Sequence, residues 1–238
     1  MTHPVHILVT GSSRGIGAAI AERLTGESTR VIGHSSRTAS DRLIACDLAV
    51  PDTAPSLWQA ALDRLDGRID VLINNAGIFE AAPIEDAHDD WVSAWDRTMQ
   101  VNLTAAAELS RLAVLHFREI GGGRIINIAS RAAYRGDSPA HWHYAASKAG
   151  MIGMTKSIAR GYAAEGIYAF AICPGFTMTG MAEAHLDCDG GAALLAEIPL
   201  GRVAEPAEIA EAARFLALDA PPSMTGAVLD INGASYVR

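Results

Sequence analysis

The 238-residue chain predicts an α/β fold, a doubly wound parallel sheet of seven strands with helices on both faces. Short apolar runs rich in β-branched residues alternate with longer helical patterns along the chain. The first apolar run ends in a glycine-rich turn that opens the first helical pattern, a junction suited to anion binding.

VHILVT (5–10) is apolar at nearly every position, as a strand covered on both faces should be. A helix is expected over 15–25, then strands RVIGH (30–34) and RLIAC (42–46). Only the stretch 34–43 links that pair, and a parallel crossover needs about a dozen residues or more, so its helix is expected to be lost or reduced to a turn. Helix 54–65, strand DVLIN (70–74), helix 88–119, strand RIINIAS (124–130), helix 142–164 and strand YAFAIC (168–173) follow. A helix at 205–217 has Pro206 in its first turn and acids early, as a helix start should, and AVLDI (227–231) is the last strand. No repeat, low-complexity tract or linker interrupts 1–238, so one domain is expected. The less regular 180–202 reads as a lid over a site or as a surface decoration.

Half of the residues are hydrophobic and 19% are charged, enough apolar material for a sizeable core. The net charge of −8 argues against nucleic-acid and anionic-membrane partners. Three cysteines without CxxC spacing suit a reducing, cytoplasmic compartment. The N-terminus lacks a signal-peptide pattern, and no stretch approaches 18 uncharged apolar residues, so no membrane span is expected. No His/Cys/Asp/Glu cluster has zinc-like spacing, so no metal is expected. The absence of a G-x-S-x-G elbow argues against a hydrolase triad at Ser130.

In TGSSRGIG the glycines are Gly11, Gly15 and Gly17, a spacing that is neither G-x-G-x-x-G nor a P-loop. The physics is shared: glycine permits close backbone approach, and the helix N-terminus offers free N–H groups to a pyrophosphate. The candidate cradle is Gly11, Ser13, Arg14, Gly15, Ile16 and Gly17. An NAD site usually places an acid after the second strand to bind the ribose 2′-OH. Here GHSSRTAS has none before Asp41, whereas Ser35, Ser36 and Arg37, with Arg14, suit a 2′-phosphate. NADP is therefore expected over NAD.

In HWHYAASKAG, Tyr144 and Lys148 are four residues apart, one helical turn. An ammonium beside a phenol favours the phenolate and should lower a pKa that is ordinarily about 10. His141 and His143, close by, are candidates to line a pocket or to face solvent.

TGSSRGIG (10–17), CDL (46–48), NNAG (74–77), VN (101–102), IAS (128–130), YAASK (144–148) and CPG (173–175) occur in order over nearly the whole chain. Together they resemble the single-domain short-chain dehydrogenase/reductase family, and within it the 3-oxoacyl-(acyl-carrier-protein) reductase type. The resemblance implies a Rossmann-type domain and hydride transfer between NADP(H) and a carbonyl or secondary alcohol. It implies Tyr144 as acid and base, Lys148 as the group that tunes it and holds the nicotinamide ribose, and Ser130 as holder of the substrate oxygen. Asn102 would sit at a helix break and hold a water. Asp47 and Leu48 would flank adenine, with Asn75, Ala76 and Gly77 on the adenosine-ribose side. Pro174, Gly175, Thr177 and Thr179 would pass under the nicotinamide. Substrate contacts are expected from 131–143 and 176–200, among them Tyr134, Trp142, Phe176 and Met181.

The chain departs from the family pattern in three places: Ser130 and Tyr144 are one residue further apart than usual, the crossover after Arg37 is short, and Thr177 stands where an aliphatic residue is common. The implied partner is a small carbonyl or acyl-thioester substrate. The long helices 88–119 and 142–164 are expected to pair subunits in a homo-oligomer, a dimer or tetramer. An NAD-linked polyol, sugar or steroid dehydrogenase and a non-catalytic nucleotide-sensing protein are the alternatives.

Overall fold

The computed structural model describes residues 3–178 and 195–238. The strands are β1 (Val5–Val9), β2 (Thr29–Ser35), β3 (Leu43–Ala45), β4 (Val71–Asn74), β5 (Gly123–Ile128), β6 (Ile167–Pro174) and β7 (Val228–Ile231). They form one seven-stranded sheet in the order β3-β2-β1-β4-β5-β6-β7, every neighbour parallel. From β1 the chain moves outward to β2 and β3, then returns to β4 on the other side. Where the order reverses, the strand ends leave a crevice in which such sheets bind ligands.

Side chains alternate across the pleat, so each strand feeds two cores. Leu8 of β1 packs with Leu57 and Trp58 of α2 (Ala54–Arg64), Leu109 and Phe117 of α4 (Ala105–Ile120) and Ile158 of α6 (Trp142–Tyr162). Its neighbours Ile7 and Val9 face Ile20 of α1 (Gly15–Leu24) and Ile209 of α7 (Pro206–Arg214). Each fully buried side chain of this size contributes about 1.5–3 kcal/mol relative to exposure. Burial on both faces is why the strands read as continuous apolar runs.

The link from Ser35 to Leu43 contains no helix, and residues 36–42 are all exposed. The helical pattern at 88–119 is two helices, α3 (His88–Met99) and α4, joined through a π turn at Gln100–Thr104 that contains Asn102. Such single π turns are common at functional sites. The stretch after β5 folds a short helix, α5 (Ala132–Arg135), between Ser130 and Tyr144.

Candidate active site

The turn after β1 is fastened to the end of β4. The Asn75 amide donates to the carbonyls of Thr10 and Gly11, both at 2.9 Å, and the Thr10 hydroxyl accepts the N–H of Asn75 at 3.0 Å and of Ala76 at 2.9 Å. Gly11 has φ +63°, and a Cβ on it would lie 2.7 Å from Ala76 Cα, so only glycine passes here. A Cβ on Gly17 would collide with the Asn75 amide.

His34, which the sequence reading did not single out, holds the other side. Its Nδ1 accepts the Gly11 N–H at 3.0 Å and its Nε2 donates to Cys46 O at 2.7 Å, a pairing that requires the neutral Nε2–H tautomer. Burial lowers its pKa below the ordinary 6.5, partly offset by the hydrogen bond to Cys46.

A groove of about 590 Å³ runs along this turn. The whole expected cradle lines it, together with Ser35, Ser36, Arg37, Asp47, Leu48, Asn75, Ala76 and Gly77. α1 opens into it at Gly15. The guanidinium groups of Arg14 and Arg37 form no ion pair among the described residues. A glycine cradle with two uncompensated cations fits a dinucleotide that carries an additional phosphate.

The groove shares Ile16, Asn75, Gly77 and Ile78 with a cavity of about 280 Å³. Ser130, at the end of β5, and Tyr144 and Lys148, on α6, line that cavity. The Ser130 hydroxyl is a hydrogen-bonding neighbour of the Tyr144 phenol, and it accepts the Ala132 N–H at 3.1 Å. Lys148 Nζ donates to Ile128 O at 2.8 Å and lies 5.8 Å from the centre of the Tyr144 ring.

The electrostatics differ from the sequence expectation. Burial raises the Tyr144 phenol to about 12, only partly offset by the hydrogen bond with Ser130. Burial also lowers Lys148 to about 8. For both groups burial is the largest cause, although the ammonium lies over the Tyr144 ring as well as donating to Ile128 O.

Asn102 is fully buried in the π turn. Its amide donates to Ile78 O at 3.0 Å and Ser147 Oγ at 3.2 Å, and its carbonyl accepts the Ile78 N–H at 2.8 Å. It thus ties the loop after β4 to α6. Phe79 on that loop meets Tyr144 edge-on, ring centres 4.8 Å apart, and stacks on His141 at 3.9 Å. His143 is buried beside Trp95, away from the cavity lining.

Of the expected substrate contacts, Phe176 lines the cavity, as do the expected nicotinamide-side residues Pro174, Gly175 and Thr177. Tyr134 does not: it stacks on Tyr236 at 5.9 Å and its hydroxyl accepts from Arg238 at 2.9 Å. Trp142 is 52% exposed and meets Trp91 on the outer surface. Both were placed by nearness in sequence, which a helical turn redirects. Thr179, Met181 and most of the expected lid at 180–202 lie outside the described residues. Among the described residues no group of three or more His, Cys, Asp or Glu could hold a metal, and no helix is long and apolar enough to cross a membrane.

Fold and site together are those of a nicotinamide-dependent oxidoreductase acting on a CH–OH or carbonyl group. A family model described as enoyl-(acyl carrier protein) reductase matches residues 11–234. The 3-oxoacyl-[acyl-carrier-protein] reductase FabG of Vibrio cholerae is 36% identical over 241 residues, covering 97% of this chain and 96% of the relative. A cis-4-hydroxycyclohexanecarboxylate dehydrogenase of Sinomonas cyclohexanicum is 35% identical over 239 residues, covering 95% and 94%. A crystal structure assigned as a 2-deoxy-D-gluconate 3-dehydrogenase from Agrobacterium tumefaciens, with bound NADP, superposes with a TM-score of 0.88 at 31% identity, covering 99% and 98%. The chain belongs to the short-chain dehydrogenase/reductase family.

Proposed function

We propose that this chain transfers hydride between NADP(H) and a carbonyl or secondary alcohol, with Tyr144 as the acid and base. The observation that carries this reading is one cavity bordered by Ser130, Tyr144 and Lys148 and continuous with a glycine-lined groove that holds Arg14 and Arg37. The NADP bound to the related Agrobacterium structure supports the choice of cofactor.

The bound nicotinamide supplies the hydride in reduction and accepts it in oxidation. In reduction the carbonyl carbon gains hydride and its oxygen gains a proton. Negative charge grows on that oxygen, and the hydroxyls of Ser130 and Tyr144 donate to it. A phenol near 12 remains protonated at neutral pH, ready to give its proton. Lys148, near 8, is then mostly charged, and its place beside the cavity suits it to hold the nicotinamide ribose. Asn102 positions the loop and helix that frame these groups.

A dimer or tetramer paired through α4 and α6 belongs to the same proposal. It is supported by exposed Leu115 on α4 and by the small, exposed Ala146, Ala149 and Gly153 on α6, which allow close helix approach.

Parallel titrations with NADPH and NADH, followed by nicotinamide fluorescence, test the reading. NADPH binding tighter by about tenfold, or 1.4 kcal/mol, is expected. Tighter NADH binding would overturn the role of Arg37, and binding of neither would overturn the enzymatic reading.

A further inference from the structure

Two charged side chains that line the cavity, Arg131 and Asp137, take no part in the hydride and proton transfers, and Arg131 is the buried one. Arg131 follows Ser130 directly, yet it is only 8% exposed. Its N–H donates to Pro174 O at 3.0 Å, and its guanidinium lies over the Phe176 ring, 4.8 Å from the centre. Its Nη1 is buried without a hydrogen-bond partner among the described residues. The neighbouring carboxylates Glu197 and Asp137 attract the Arg131 charge through space, but neither pairs with it. Glu197 pairs with Arg135 at 3.3 Å, and exposed Asp137 accepts the Ser138 N–H at 2.8 Å. Arg131 forms no ion pair among the described residues.

Burying a cation without its anion is costly, and an arginine cannot escape by losing its proton. An apolar side chain would cover Phe176 without that cost. A guanidinium stacked on a ring keeps its N–H edge in a fixed direction, the geometry that suits a bidentate carboxylate. Arg131 and Phe176 line the cavity with Ser130 and Tyr144, and they also line an adjoining hollow of about 390 Å³.

We propose that the substrate is a small hydroxy or oxo acid whose carboxylate pairs with Arg131 while its reacting carbon faces Ser130 and Tyr144. The inference rests on the oxidoreductase reading above. Arg131 is then a specificity-determining residue for the substrate. A neutral analogue would leave Nη1 desolvated and unpaired, and sites built to bond a polar group discriminate strongly against analogues lacking it.

The test uses matched probes: levulinate, para-acetylbenzoate and cyclohexanone-carboxylate, each beside its methyl ester. Each is titrated by calorimetry into the protein saturated with NADP⁺, and each is assayed for NADPH oxidation. At least one acid is expected to bind and turn over at least tenfold better than its ester, mainly through KM. Arg131→Gln should bring the acid-to-ester ratio close to one, and Arg131→Lys should leave it intermediate, because the charge remains and the fork is lost. Circular dichroism and NADPH affinity report whether the variants fold. No acid preferred over its ester, or a preference that survives in a folded Arg131→Gln, would overturn the proposal. Failure of the underlying oxidoreductase reading has a different signature: no NADPH binding, or no reduction of acid and ester alike.

Discussion

His34 Nδ1 accepts the Gly11 N–H at 3.0 Å, so a side chain on β2 holds the glycine turn in place. That bond exists only while the imidazole is neutral. Because burial lowers the folded pKa below the ordinary 6.5, the contribution of His34 is fully present above that value and is lost as pH falls through the folded pKa. His34→Ala should cost about 1–3 kcal/mol near neutral pH and weaken NADPH binding. Urea midpoints for both proteins between about pH 8 and pH 5 should converge as the pH falls. A constant gap would show that the tautomer is not what matters.

Tyr144→Phe removes the proton donor and keeps the ring that meets Phe79 edge-on. Carbonyl reduction should fall by about 10²–10⁴-fold, with NADPH affinity within about twofold of the parent. Steady-state kinetics and fluorescence titration check the two halves separately, and full turnover in this variant would remove Tyr144 from the mechanism.

Lys148 is expected to trade stability for activity. Its folded pKa, near 8, lies below the ordinary 10.5, so the folded protein gains stability as pH rises towards 10.5 and loses it as pH falls through 8. At neutral pH the full penalty of the buried charge is present, about 3 kcal/mol at most. Lys148→Met should therefore abolish turnover while raising the thermal midpoint near pH 7. A lower midpoint would mean that the bond to Ile128 O outweighs the desolvation cost.

Arg37→Asp places an acid where NAD sites keep one. The NADPH-to-NADH affinity ratio should invert, by about tenfold or more in each direction, measured by parallel titration. An unchanged ratio would assign the phosphate contact to Arg14 alone.

The sheet, its two covering layers and the absence of a crossover helix were legible because hydrophobic period and link length are local properties. The glycine turn was legible for the same reason. His34 was not, because its role depends on Gly11 and Cys46, brought to it by strand pairing and a tight link rather than by any motif. The π turn around Asn102 lies inside a continuous helical pattern, and only the resemblance marked a break there. Tyr134 and Trp142 stand close in sequence to Ser130 and Tyr144, yet α5 and the start of α6 turn them away from the cavity. Tyr144 itself was located from the sequence, but its pKa was expected to shift the other way. Spacing shows that a lysine is near, and only coordinates show that it is bonded elsewhere and that burial dominates.

The helix-free link between Ser35 and Leu43 gives this chain an unusual freedom. The expected selector of coenzyme, Arg37, sits on a stretch whose residues 36–42 are all exposed and so add nothing to either core. Substitutions there can alter which reducing pool the protein draws on while leaving its folding untouched. Coenzyme choice and architecture are thereby separate traits in this chain, open to change one at a time.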